Sequence, residues 1–338
     1  FERYRTLALL MVVAGGVTAA IDFLYAIITV LRHAGDVTKI YLICFAVSVV
    51  LPVILIAYYA FTDTNGAFTL DNFRNFWDSN YTKNQLYASL GPDAAKYVVR
   101  GTVNVDTLVY SLWMAFLCTV ICLVLGYPAA LFMADRQMKL GASLVVLFII
   151  PMWMNFLLRT YAWMSILENN GLLNQLFRKI GLIALYNNIF GTDISFFRMI
   201  NTQGAVVLGM VYNYLPFMIL PIYSVIVKLD HSLIEAARDL GANSVQVFRR
   251  VILPLSLPGV LSGITMVFVP SVSTFAISKM LGGGTEMLLG DLIEQQYMGG
   301  AYNPYLGAAI SLVMMVIVVI CMVVMNRFGE GEEQAVMM

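Results

Sequence analysis

Charge is scarce in this chain. Only 12% of its 338 residues are Asp, Glu, Lys or Arg, while 60% are apolar; soluble domains carry about 25% charge. So little charge cannot cover a water-facing surface. The 20 basic and 20 acidic residues cancel, and no basic patch accumulates, which argues against nucleic acid as a partner. Histidine occurs only at His33 and His231, and the four cysteines (Cys44, Cys118, Cys122, Cys321) all sit in apolar runs, as small hydrophobes do. No metal-ligand spacing arises from them. A GxxxxGK[ST] phosphate loop is missing, so this chain is not expected to bind or hydrolyse ATP. Gly282-Gly283-Gly284 is followed by no Lys-Ser/Thr pair and reads as a turn. Ser-His-Asp, Cys-His and paired-carboxylate constellations are missing too, which disfavours an enzyme working within a membrane.

What the chain has instead is long charge-free runs: 40–62, 107–134, 140–158, 199–227, 251–278 and 295–326. A helix needs about 20 apolar residues to cross the hydrocarbon core, because its backbone hydrogen bonds must all close internally. Six core spans are expected, the third continuing past Arg159 towards Leu167. Strand-like alternation, the mark of a barrel, does not occur. Residues 6–31 are apolar on every face apart from Asp22. They read as an extra N-terminal span or as a buried or re-entrant helix, in a segment 1–36 ahead of the first core helix at 37–62. The fold class is therefore an all-α polytopic membrane protein.

Lys and Arg set the orientation. The loops 32–39, 135–139, 228–250 and the tail from 327 hold nine basic residues in 48 positions; 63–106, 168–198 and 279–294 hold eight in 91. The first group is assigned to the cytoplasm, with 329–338 as its tail. The long loop 63–106, with Trp77, Tyr81, Tyr87 and Tyr97, then faces outward, as a folded cap or an ordinary ordered loop.

One polar stretch, Lys228 to Pro258, has strong local grammar. Ser232 with Glu235 reads as a capping box opening a short helix that would bury Leu233, Ala236, Ala237 and Leu240. Gly241 would stop it in the left-handed conformation. Asn243 with Gln246 signals a second cap, and the following helix carries Val247, Phe248 and Val251 towards Pro254. On these residues alone the stretch is either a well-capped connector or a projecting surface whose small side chains let another protein approach.

Glu235-Ala236-Ala237, then Gly241 after three residues, then Val251-Ile252-Leu253-Pro254 after nine more resemble the EAA motif of ABC-importer permeases. The single departure is Val251 in place of Ile. The resemblance spans about 40–328, with the permease core at 107–328 and the coupling loop at 228–254. It implies a six-helix type I importer core, an N-terminal helix being a known addition, in the bacterial inner membrane. Ser232, Glu235, Ala236, Ala237, Gly241, Leu253 and Pro254 would form the coupling element that docks on an ABC ATPase dimer. ATP and Mg would be bound by those ATPase subunits and no cofactor by this chain. A second homologous permease and an extracytoplasmic binding protein would complete the assembly. Leu125-Gly126-Tyr127-Pro128, Leu215-Pro216-Phe217-Met218 with Pro221 and Tyr223, Leu229-Asp230 through Ala242, and Leu281-Gly282-Gly283 look like the spermidine/putrescine branch. Amino acids, iron or inorganic anions are the alternative cargoes, and an ion-coupled secondary transporter the alternative class.

A polyamine route would need carboxylates and aromatic faces. Asp106, Glu168, Asp291 and Glu294 fall near outer span ends, and Trp153, Tyr161, Trp163, Tyr212 and Tyr214 are ring candidates. Each also reads as an interfacial anchor or helix-end charge. Asn155 and Asn213, inside apolar runs, are expected to hydrogen-bond between helices.

Overall fold

The computed structural model describes residues 46–78, 103–135, 141–284, 286–299 and 302–336. The expected helix at 6–31, the start of the first core span and the aromatics Tyr81, Tyr87 and Tyr97 lie outside the described residues. Among the described residues the fold is all-helical, with one isolated bridge between Thr62 and Phe68. In chain order the helices are α1 (Leu51–Ala60, entered through a π-helical turn Ala46–Val50), α2 (Asp71–Trp77), α3 (Val103–Ala134), α4 (Gly141–Trp153), α5 (Phe156–Leu167), α6 (Leu172–Lys179) and α7 (Leu182–Phe190). There follow α8 (Gln203–Lys228), α9 (His231–Asp239), α10 (Ser244–Val247), α11 (Leu253–Ser273), α12 (Ala276–Leu281), α13 (Leu289–Met298) and α14 (Pro304–Val336).

Helix α3, helix α8, the run from α10 through α11, and α14 are each long and apolar enough to cross a membrane, and the pair α4–α5 passes the same test as a bent unit. Together with α1, these elements occupy the six expected windows. Three windows need correction. The third is not one helix: its halves meet at 96°, because the Asn155 side chain accepts the Leu157 N–H and starts α5 afresh. The fifth breaks at Thr274–Phe275 before the short α12. The sixth begins at Pro304, its first residues belonging to α13.

The core is built by α3, α8 and α11, with Cys118, Cys122, Met210, Met218, Ile219, Ile222 and Val267 fully buried between them. These helices approach closely because glycines face them. A Cβ on Gly259 would lie 2.9 Å from Pro221 O and 3.1 Å from Ile222 Cα, and one on Gly263 would lie 2.8 Å from Met218 Sδ. The Tyr127 and Ser256 hydroxyls, 2.6 Å apart, join α3 to α11 inside this packing. Helix α2 caps the far side, its Phe76 buried against Leu108, Leu289 and Leu306.

Candidate functional site

The loop 228–254 is formed by local rules, though not all of those expected. Asp230, not Ser232, caps α9: its Oδ1 accepts the Ser232 N–H at 3.0 Å. An aspartate two residues upstream is as good a cap as serine and adds a negative charge at the positive helix end. Leu240 is the C-cap, and Gly241 follows at φ +84°. Ala242 N–H reaches Ala237 O at 3.0 Å and Gly241 N–H reaches Arg238 O at 2.8 Å, the Schellman closure. The second expected cap is present: Asn243 and Gln246 exchange reciprocal bonds of 2.8 and 2.9 Å. The next helix runs on past Pro254, as expected. It widens into a π-helical turn, Phe248–Ile252, and runs on into α11 with Pro254 in its first turn. Proline lacks the N–H that would pair with the carbonyl one turn back, and the wider turn accommodates that loss.

The exposure of α9 carries the functional weight. No residue of α9 is buried. Leu233 is 47% exposed and Leu240 89%, with Val245 at 71%; Glu235 and Ala236 are exposed and Ala237 half-buried. The expected burial of Leu233, Ala236, Ala237 and Leu240 is thus not met among the described residues. An amphipathic helix with its apolar side open and small residues at its centre is shaped to be covered by another protein. Leu253 packs on the core while Pro254 is exposed, so the loop is tied at its membrane end.

The pathway candidates are dispersed. Asp106 and Glu168 are exposed, as are Trp153 at the α4–α5 break and Tyr161. Tyr212 meets Trp163 edge-on, ring centres 5.4 Å apart. Tyr214 is buried, with its hydroxyl 3.3 Å from Pro270 O. Asn213 does link helices, its Nδ2 reaching Thr160 Oγ1 on α5 (3.4 Å) and Gly209 O (2.9 Å); Asn155 caps a helix instead. Glu294 pairs with exposed Lys279 at 2.8 Å. Buried Arg159 leaves its Nε without a partner among the described residues.

Asp291 sits in α13, outside the long spans, and is buried. Its Oδ2 accepts Ser278 Oγ–H at 2.6 Å and Leu288 N–H at 2.9 Å, and Ser111 Oγ accepts Leu289 N–H at 2.7 Å. This is a lock between α3, α12 and α13. Burial pushes the carboxyl up to about 6, so the folded form favours the proton, and the lock weakens as pH rises from the ordinary aspartate range through 6. Asp291→Asn, which keeps the acceptor and removes the charge, should flatten that pH dependence and leave the melting temperature at pH 7.5 equal or higher, measured on detergent-solubilised protein. A lower melting temperature at that pH would contradict the lock.

The fold and the projecting, capped loop define a membrane-embedded transport permease. The chain belongs to the family described as "Binding-protein-dependent transport system inner membrane component", whose profile matches residues 126–330. It is a multi-pass inner-membrane protein, the permease subunit of an ABC importer. Among its relatives is the spermidine/putrescine transport system permease protein PotB of Escherichia coli K12, 39% identical over 222 residues, covering 66% of this chain and 77% of that protein. PotB of Haemophilus influenzae is 38% identical over 220 residues, covering 65% and 73%. The inner membrane ABC transporter permease protein YdcU of E. coli K12 is 28% identical over 258 residues, covering 75% and 82%. In structure, a chain of a bacterial ABC transporter involved in alginate import superposes with a TM-score of 0.63 at 14% identity, covering 89% of this chain and 95% of that one. That likeness speaks for the fold.

Proposed function

We propose that this permease forms the translocation pathway for polyamines, spermidine or putrescine, delivered by an extracytoplasmic binding protein. The observation that carries the reading is the identity of 38–40% to permeases described as spermidine/putrescine transporters. Exposed carboxylates at Asp106 and Glu168 suit a polycation. The chain makes and breaks no bond. Two ABC ATPase subunits, binding ATP and Mg, would close and open beneath it, and α9 would carry that motion into α11. A second, related permease would complete the pathway, as a heterodimer.

The test is uptake of radiolabelled spermidine and putrescine by vesicles containing the assembled transporter and its binding protein. ATP-dependent uptake of at least one is expected, and Glu168→Gln should slow it about twofold to fivefold, because a partly hydrated carboxylate biases entry of a multivalent cation while contributing little to assembly. Transport of an amino acid, iron or an anion in place of both polyamines would overturn the substrate and leave the permease standing.

A further inference from the structure

The outer end of α3 carries a group of side chains that sequence spacing does not bring together. Tyr110 donates its hydroxyl hydrogen to Glu286 Oε2, across 176 residues of chain. Glu286, two residues before Leu288 at the entry to α13, is half-buried, and its Oε1 has no hydrogen bond among the described residues. Asp106 stands four residues before Tyr110 in α3, on the same helix face, and is exposed. Four residues of helix rise about 6 Å, so one carboxylate lies about a turn from the ring that holds the other.

Described residues before and after Glu286 are anchored. Gly283 and Gly284 adopt φ of +58° and +78°, and Asn201 N–H reaches Leu281 O at 2.9 Å. Beyond Glu286, Leu288 and Leu289 are anchored by Asp291 and Ser111. Glu286 is thus followed closely by anchored residues, and its carboxylate is aimed by Tyr110.

We propose that Glu286, Tyr110 and Asp106 form an ammonium-binding station at the outer end of the permease core, accepting two charged nitrogens of one polyamine as it enters. Glu286 Oε1 takes one ammonium by a charge-assisted hydrogen bond. The Tyr110 ring flanks the alkyl spacer and adds cation–π attraction. Asp106, a helical turn away, takes the next ammonium. A monovalent cation can use only one half of such a station, which favours diamines and triamines. The station rests on the polyamine reading.

The experiment uses the assembled transporter in vesicles with the spermidine-loaded binding protein, and compares Glu286→Gln, Glu286→Asp, Tyr110→Phe and Asp106→Asn at matched amounts of complex. Glutamine still accepts the Tyr110 hydrogen bond, so it removes charge and preserves the latch. Glu286→Gln should lower maximal spermidine uptake about fivefold, and spermidine moved per ATP should fall with it. The half-saturating concentration should stay put, since the binding protein sets it. Asp106→Asn, at an exposed position, should produce a loss of similar size. Glu286→Asp should recover most of the rate, and Tyr110→Phe, which keeps both carboxylates, should lose less than Glu286→Gln. Uptake near wild type in Glu286→Gln, with Tyr110→Phe the most impaired, would make the contact a structural latch and overturn the station. An unaffected Asp106→Asn would overturn it equally. In both cases wild-type polyamine uptake persists, whereas a wild type that carries no polyamine fails the substrate reading itself and the station with it.

Discussion

Gly241→Val should leave the chain inserted and folded while cutting substrate-stimulated ATP hydrolysis in the assembled transporter by about tenfold or more. Space is not the obstacle: a Cβ on Gly241 would meet nothing within 4 Å. Conformation is. Gly241 holds φ at +84°, where an L-residue costs about 1–2 kcal/mol and a β-branched one more. The strain is relieved by giving up the two Schellman bonds from Gly241 and Ala242, and with them the angle between α9 and α10. No residue of α9 is buried, so it would swing freely, and the proposed contact of its exposed Leu233 and Ala236 with an ATPase would lose its register. Gly241→Asn is the control, since asparagine tolerates the left-handed region, and it should retain most of the stimulation. Wild-type stimulation in the valine variant would sink the coupling role of the loop. Loss of membrane insertion would show that Gly241 serves folding instead.

The loop 228–254 is legible in the sequence because its signals are local. A glycine at positive φ, a cap and its partner three residues on, and a proline in a first turn each act within a few residues. Where structure and sequence pattern part, local groups compete. Asp230 outbid Ser232 for the same orphan N–H groups, and Asn155, an apparent interhelical amide, ended one helix and began another. The burial expected for Leu233, Ala236, Ala237 and Leu240 is unmet among the described residues for a different reason: amphipathic spacing marks a face to be covered and does not say what covers it. Apart from Asn213, whose amide in an apolar run pointed to its interhelical bond, the tertiary polar contacts left no trace in the sequence. Tyr110 reads as one more aromatic in an apolar run, and Glu286 as a loop charge, until the fold sets them against each other. Asp291 is the converse, an outward-looking acid by position that the fold buries.

Gly259→Leu should prevent accumulation of folded protein, and Gly259→Ala should lower its stability by about 1–3 kcal/mol, the usual cost of overpacking a closed interface. Helices α8 and α11 cross at Gly259, where an added methyl would stand 2.9 Å from the Pro221 carbonyl oxygen and 3.1 Å from Ile222 Cα. Both obstacles are backbone, so no rotamer change clears them; the helices must separate. Separation would loosen the contacts of buried Ile222 and Val260, and hydrocarbon around the protein offers no hydrophobic drive to press the helices together again. A graded series tests the mechanism. Gly126→Ala meets only side-chain atoms at 3.1–3.4 Å, on Met218 and Ile219, and should be milder because methionine can repack. Gly204→Ala, whose nearest neighbour is Thr202 Oγ1 at 3.8 Å, should be neutral or slightly stabilising, as alanine is the better helix former. Melting temperature and the yield of monodisperse protein in detergent read out the order Gly204, Gly126, Gly259 from least to most damaging. A Gly259→Ala protein as stable as wild type would mean that α8 and α11 do not pack at this distance in the membrane.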